Sequence, residues 1–296
     1  MSQKSVSYGG QAVIEGVMMR GPREMAVAIR KSAGEVIVDR RSIKSLAERF
    51  YVLKLPLLRG VLTLVESLIL GIKVLTFSAN QAADQEDEEI TPKEMVFTIL
   101  LAFGLAVLLF IVIPSGLAHF LQGHISSLWQ NLIEGIIRII VFLGYIVVIS
   151  RMQDIQRVFQ YHGAEHKVIH AYEAGKPLSV ENCREYSSLH PRCGTSFLLI
   201  VMIIAILVFS LLNTTNLWWR IFSRILLMPL VAGIAYELIK LSGKYKSKSW
   251  VNALIAPGLY LQKLTTREPD DEQIEVAIKA LDAILPENEK QLAGER

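Results

Sequence analysis

Four of the chain's six histidines fall within the 29 residues from His162 to His190, with Cys183 inside that interval and Cys193 just beyond it. The densest part reads QRVFQYHGAEHKVIHAYEAGKP, where Gly175 and Pro177 give a clean stop, so the residues before them are predicted to be helical. At about 100° per residue, Glu165, Ile169, His162, Glu173, His166 and His170 then fan across a single face. Histidines four apart on a helix can offer two imidazole nitrogens to one ion at about 2.0 to 2.1 Å. Glu165 between them stands where it can take a proton from water at that ion. Two histidines fill only half of a tetrahedral shell. The remainder is expected from His170 or Glu173, or from His190 and Cys193 in the loop SSLHPRCGTSF, and mixed His and Cys ligation favours zinc. The plain alternative is a polar cap of histidines hydrogen-bonded to Glu165, Glu173 and backbone.

His162-Gly163-Ala164-Glu165-His166 has the H-x-x-E-H order of the inverzincin metallopeptidases. The distant third carboxylate ligand of those enzymes and their large soluble fold are not identifiable here. The run His190 to Thr195 also has a plain reading, in which Gly194 makes a turn and Thr195 or Ser196 caps the helix that follows. That leaves His190, Arg192 and Cys193 unexplained. A cysteine beside Arg192 and a helix start is a nucleophile candidate, paired with His190 or His166.

What must position these residues is largely apolar. Of 296 residues 52% are apolar and only 20% charged, which points to a membrane protein. The net charge is +3 and the basic residues are spread between segments, so the footprint of a nucleic-acid reader is missing and no nucleic-acid partner is expected. Met95 to Leu121 carries no charge and exceeds the roughly 30 Å of a bilayer core. Asn131 to Ser150, with Glu134 and Arg138 spaced to pair on one face, Thr195 to Leu212, and Leu217 to Leu241, with Trp218 and Trp219 at its start, complete four expected spans. Basic residues are absent from 122–130 and 213–216 but abundant from Arg151 to Arg192 and from Lys240 to Lys248. The histidine segment and both termini are therefore expected in the cytoplasm, where both cysteines stay reduced. Arg220 and Arg224 sit against this bias and must snorkel or pair.

Leu55 to Phe77 is apolar except for Arg59, Glu66 and Lys73, which recur every seven residues as one narrow polar stripe. Burying one such charge at mid-bilayer costs roughly 2.5 to 3.5 kcal/mol, so an interfacial or re-entrant helix is expected instead of a fifth span. The first forty residues read as short strands, with a hairpin at Ser32-Ala33-Gly34. Gln85 to Glu89 forms an acidic linker into a helix start at Thr91-Pro92. From Asp270 an amphipathic helix is expected, with Ile274, Ala277, Ile278, Leu281 and Leu285 on its stripe. The fold class is thus mainly α and polytopic, with about four transmembrane helices. Its segments are a β-rich start (1–46), a membrane-associated helix (47–80), a first hairpin (95–150), a histidine-rich cytoplasmic part (151–194), a second hairpin (195–241) and a cytoplasmic tail (242–296).

Three motifs in order, GGQAVIEGVMMRGP from Gly9, YHGAEHK from Tyr161 and HPRCGT from His190, resemble those of the YqhQ-like bacterial membrane proteins. The resemblance runs from about Tyr8 to about Gln262. It implies a multi-pass protein of the bacterial plasma membrane and, through the same His and Glu residues, a metal-dependent enzyme using a divalent ion such as zinc. It further implies that Glu15, Arg20 and Arg23 fold over the histidine helix as a carboxylate ligand or an anion clamp. The expected function is a membrane-anchored, hydrolase-like enzyme with Glu165 as general base. The alternative is a non-enzymatic accessory factor that docks other membrane proteins and assists their insertion or transport.

Overall fold

The computed structural model describes residues 8–46, 50–83, 91–191, 193–212, 216–242 and 249–286. The acidic linker at 85–89 lies outside them. Strands β1 (Gly9–Val13), β2 (Gly16–Arg20), β3 (Glu24–Arg30) and β4 (Val36–Ser42) form one antiparallel meander in sequence order. Gly34 supplies a left-handed φ of 85° at the expected β3–β4 turn. The sheet is covered on both faces. Val17, Met19, Ala26 and Ala28 meet helices α5 (Gln153–Glu173) and α10 (Asp271–Asp282). Met18, Met25, Val27 and Ile29 meet the second half of α1 (Leu58–Ala82) through Leu70, Val74 and Phe77. Burial on both faces explains why β2 and β3 read as continuous apolar runs instead of alternating.

Within the segment expected as a tail, α10 is part of this core. An Asp270/Gln273 capping box starts α10, and its stripe of Ile274, Ala277, Leu281 and Leu285 is buried against α5 and the sheet. Arg30 of β3 reaches Glu275 at 2.8 Å.

Four helices are long and apolar enough to cross a membrane: Leu58–Ala82, Pro92–His119, Ser127–Ile149 and Leu217–Leu241. The second comprises α2 (Pro92–Val107), a π-helical turn (Leu108–Val112) and α3 (Ile113–His119); the others are α1, α4 (Ser127–Ile149) and most of α8 (Leu217–Ser242). This set differs from the expected one. Thr195 to Leu212 appears as α7 (Gly194–Ser210), whose 17 residues extend only about 25 Å, whereas the segment expected at the interface is a 25-residue helix.

Packing separates their roles. At the far end of the bundle Asn131 donates to the Leu212 carbonyl at 2.8 Å, so the α7 segment traverses the bundle despite its length. Both ends of α1 instead meet the sheet side. Near its start Arg59 pairs with Glu237 late in α8; near its end Ser78 accepts from the Ile14 N–H and Thr76 donates to the Met95 sulfur early in α2. Because the sheet, α5 and α10 form one body, an even number of crossings must separate them. α2–α3 with α4 supply two before α5, and α7 with α8 supply two after it. α1 therefore lies against the bundle, and its polar stripe is used internally, with Glu66 accepting from Ser45 and the Leu46 N–H.

Pairing, not snorkelling, accommodates the arginines that sit against the charge bias. Glu134 accepts from Ser115 at 3.0 Å, Arg138 at 2.8 Å, Arg220 at 3.0 Å and Arg224 at 3.1 Å, all buried. Arg138 also donates to the Phe110 carbonyl inside the π turn, where the helical ladder is interrupted.

Candidate metal centre

Tyr161, Ala164, Val168 and Ala171 pack α5 into the core it shares with the sheet and α10, and this fixes the direction of the intervening His162, Glu165 and His166. Gly163 is needed where the chain leading from α9 (Ser249–Thr265) to α10 crosses α5. A Cβ there would lie 2.1 Å from the Arg267 carbonyl, and the Arg267 N–H is bonded to the Phe159 carbonyl at 2.9 Å.

His162 Nδ1 lies 2.8 Å from the Thr265 carbonyl, and His166 Nδ1 lies 2.6 Å from the Ser188 carbonyl. A carbonyl only accepts, so in the neutral rings each Nδ1 carries the proton and each Nε2 keeps its lone pair. His162 Nε2 is 3.2 Å from Cys193 Sγ, and the ligand atoms of His162, His166 and Cys193 all lie within 4.8 Å of one another. Cys193 is the N-cap of α7, its sulfur accepting from the Thr195 N–H at 3.4 Å. Metal-binding histidines ordinarily donate the other ring N–H to a carbonyl or carboxylate; imidazole and thiolate are both zinc donors, and three protein ligands leave one tetrahedral position open. The three residues fit such an ion.

Glu165 lies beside them, its carboxylate close to the Gly10 N–H of β1. A Cβ on Gly10 would come within 2.9 Å of that carboxyl carbon, so glycine is what allows strand and helix to approach. Burial pushes the Glu165 carboxyl above its ordinary range, with His162 and the Gly10 N–H acting in the opposite direction. A cavity of about 420 Å³ is bounded by Gly9 to Ala12, by His162, Glu165 and His166, and by His190, Cys193 and Thr195. The three sequence motifs meet at this cavity.

Three of the expected ligands take other positions. His170 Nε2 faces the Leu189 carbonyl at 3.0 Å with its ring stacked on Tyr186. The His190 backbone is clamped on both sides by Gln262, and its Nε2 is 3.8 Å from Glu173. His170, Glu173 and His190 thus form a layer behind the three-donor group, with the His190 ring 5.6 Å from that of His166. The nucleophile pairing expected for Cys193 also differs, since its partner is His162. Glu15 is not near the cluster: it sits in the β1–β2 turn with a φ of 53°, pairs with Arg157 and accepts from the Tyr161 hydroxyl at 3.3 Å. Arg20 is half-buried in an adjoining cavity, Arg23 is exposed, and Arg192 lies outside the described residues. Both cysteines are free; burial pushes the thiol of Cys183, in α6 (Val180–Arg184), up to about 12.

Thr265, Ser188 and Gln262 had no signal in the sequence. Two contribute only a carbonyl, which any residue carries, and Gln262 belongs to a helix whose docking beside His190 depends on the tertiary fold.

No solved structure matches the chain. The chain is 38% identical, over 293 residues, to a protein of Bacillus subtilis (strain 168) described as "Uncharacterized protein YqhQ", covering 94% of this chain and 92% of that relative. The family described as "Protein of unknown function (DUF1385)" matches residues 55–287, well over half of the sequence. The chain belongs to the DUF1385 family of YqhQ-like proteins.

Proposed function

We propose that this protein is a membrane-anchored, zinc-dependent hydrolase whose site faces the cytoplasm, with both termini on that side. One observation carries the reading: His162 and His166 each set Nδ1 against a fixed carbonyl, and one ring nitrogen of each lies with Cys193 Sγ in a group no wider than 4.8 Å. His162, His166 and Cys193 are the ligands. Zinc held there would supply Lewis acidity and the acidification of water that hydrolysis at neutral pH requires. Glu165 is the general base, since a raised carboxyl pKa brings its proton affinity closer to that task. The Gly10 N–H orients its carboxylate, and the layer of His170, Glu173 and His190 keeps the ligand helix in place.

A second reading rests on the 3.2 Å contact between His162 Nε2 and Cys193 Sγ at a helix start, which also suits a cysteine nucleophile with a histidine base oriented by the Thr265 carbonyl. Alkylation of Cys193 in chelator-treated protein, with and without added zinc, separates the two. The metal reading expects stoichiometric protection by zinc, kept in Glu165→Gln and lost in His166→Ala. Equal alkylation with and without zinc, unchanged by His166→Ala, would favour the dyad.

A further inference from the structure

The edge of the sheet beside the cavity is built to receive a chain. β1 is a terminal strand, paired among the described residues with β2 alone. Its turn has two residues between Val13 and Gly16, so that pair must be a hydrogen-bonded one, and so must Gln11 with Met18. Gly10 and Ala12 consequently turn their backbone groups outward. The Gly10 N–H faces the Glu165 carboxylate, whereas the Gly10 carbonyl and both groups of Ala12 take no hydrogen bond among the described residues. Exposed edges are usually blunted by charge, proline or a bulge. This one reads GGQAV, with Gly9 and Gly10 exposed and open space where a Gly9 Cβ would stand.

A second cavity, of about 450 Å³, adjoins the first. Both are lined by Tyr8, Gly9, Gly10 and Gln11, but the first opens toward α5 and the second toward α1, with Arg20 and Leu70 in its wall. A strand pairing with β1 would send successive side chains alternately to the two faces, one set into each cavity. Outward amide groups flanked by pockets on alternate faces are the recognition elements of strand addition. Neither sugars nor lipids carry donors and acceptors at that repeat.

We propose that the free edge of β1 docks an extended polypeptide, which it presents along the cavity holding His162, His166 and Cys193. Arg20 favours an acidic side chain in the second cavity. The hydrolase reading supplies the fate of the bound strand, a peptide bond broken by water, but docking itself needs no metal.

The test uses the full chain in detergent micelles and, as probe, fluorescent α-lactalbumin that is reduced and carboxymethylated and so permanently unfolded. Ala12→Pro removes only an outward N–H, which an edge strand tolerates. Gly9→Trp has room at its Cβ and fills the second cavity. The expected result is saturable binding that each variant weakens by about tenfold or more, the scale of one lost hydrogen bond, with zinc content and thermal midpoint at wild-type values. His166→Ala should lose zinc and still bind the probe, whereas wild-type protein that holds no zinc and still binds it would remove the hydrolase reading and leave the docking strand standing. If Ala12→Pro fails to fold, Gly9→Trp carries the test. Absence of saturable binding to wild type, or wild-type binding by Gly9→Trp, would overturn the proposal.

Discussion

Cys183 and Cys193 are ten residues apart in sequence and differ in the features that govern thiol chemistry. Cys183 is fully buried with its thiol pushed up to about 12, whereas Cys193 is partly exposed at the cavity. In folded, zinc-free protein at pH 8, iodoacetamide should modify Cys193 and leave Cys183 untouched until the chain is denatured, as peptide mass mapping would show. Comparable labelling of Cys183 in folded protein would contradict this. Glu134 offers the opposite test, of a buried charge. Glu134→Gln leaves Arg138, Arg220 and Arg224 without their shared carboxylate, and losing one partner of a buried pair costs about 3 to 5 kcal/mol. Thermal unfolding in detergent should begin well below the wild-type temperature; an unchanged midpoint would mean that solvent or lipid already compensates the cluster. At this scale the sequence was informative about side chains with chemistry of their own. His162, Glu165, His166 and Cys193 announce themselves by type and spacing, whereas the carbonyls of Thr265 and Ser188 that fix the two imidazoles do not.

Helix α5 shows what an element requires beyond propensity. Replacing an interior helical glycine by alanine ordinarily gains about 1 kcal/mol. At Gly163 the sign should reverse, because a Cβ would meet the Arg267 carbonyl at 2.1 Å and push the α9–α10 connection off α5. Gly163→Ala is expected to lower the thermal midpoint and to raise protease cleavage near Arg267; a more stable variant would refute the crossing. Helix α10 adds a pH-dependent contribution. Lys279 and Arg30 hold the Glu275 carboxyl below its ordinary 4.5. The stability this provides is therefore complete above about pH 4.5 and is lost as the pH falls through the lower, folded value. Glu275→Gln should flatten that part of the acid unfolding profile, and a profile identical to wild type would contradict the link between sheet and α10. The stripe of α10 was legible because it repeats at helical spacing within one segment. The docking of α10 on the sheet was not, since it joins residues more than 240 positions apart, as Arg30 and Glu275 show.

For the molecule as a whole, the sequence made the apolar helices plain but left the status of α1 to be settled by packing. Its length and hydropathy resemble those of a span, while Arg59 with Glu237 and Ser78 with Ile14 tie both its ends to the sheet side. Cysteine accessibility checks this arrangement. Gly123→Cys should be labelled only from the face opposite Ser32→Cys, and labelling of both from one face would overturn the topology. The metal centre itself is tested by the metal content of protein purified without chelators. Elemental analysis should find about one zinc per chain in wild type and in Glu165→Gln, and almost none in His166→Ala or Cys193→Ser. Wild-type protein without a stoichiometric transition metal, or full zinc in Cys193→Ser, would contradict the claim that these three residues form a metal centre.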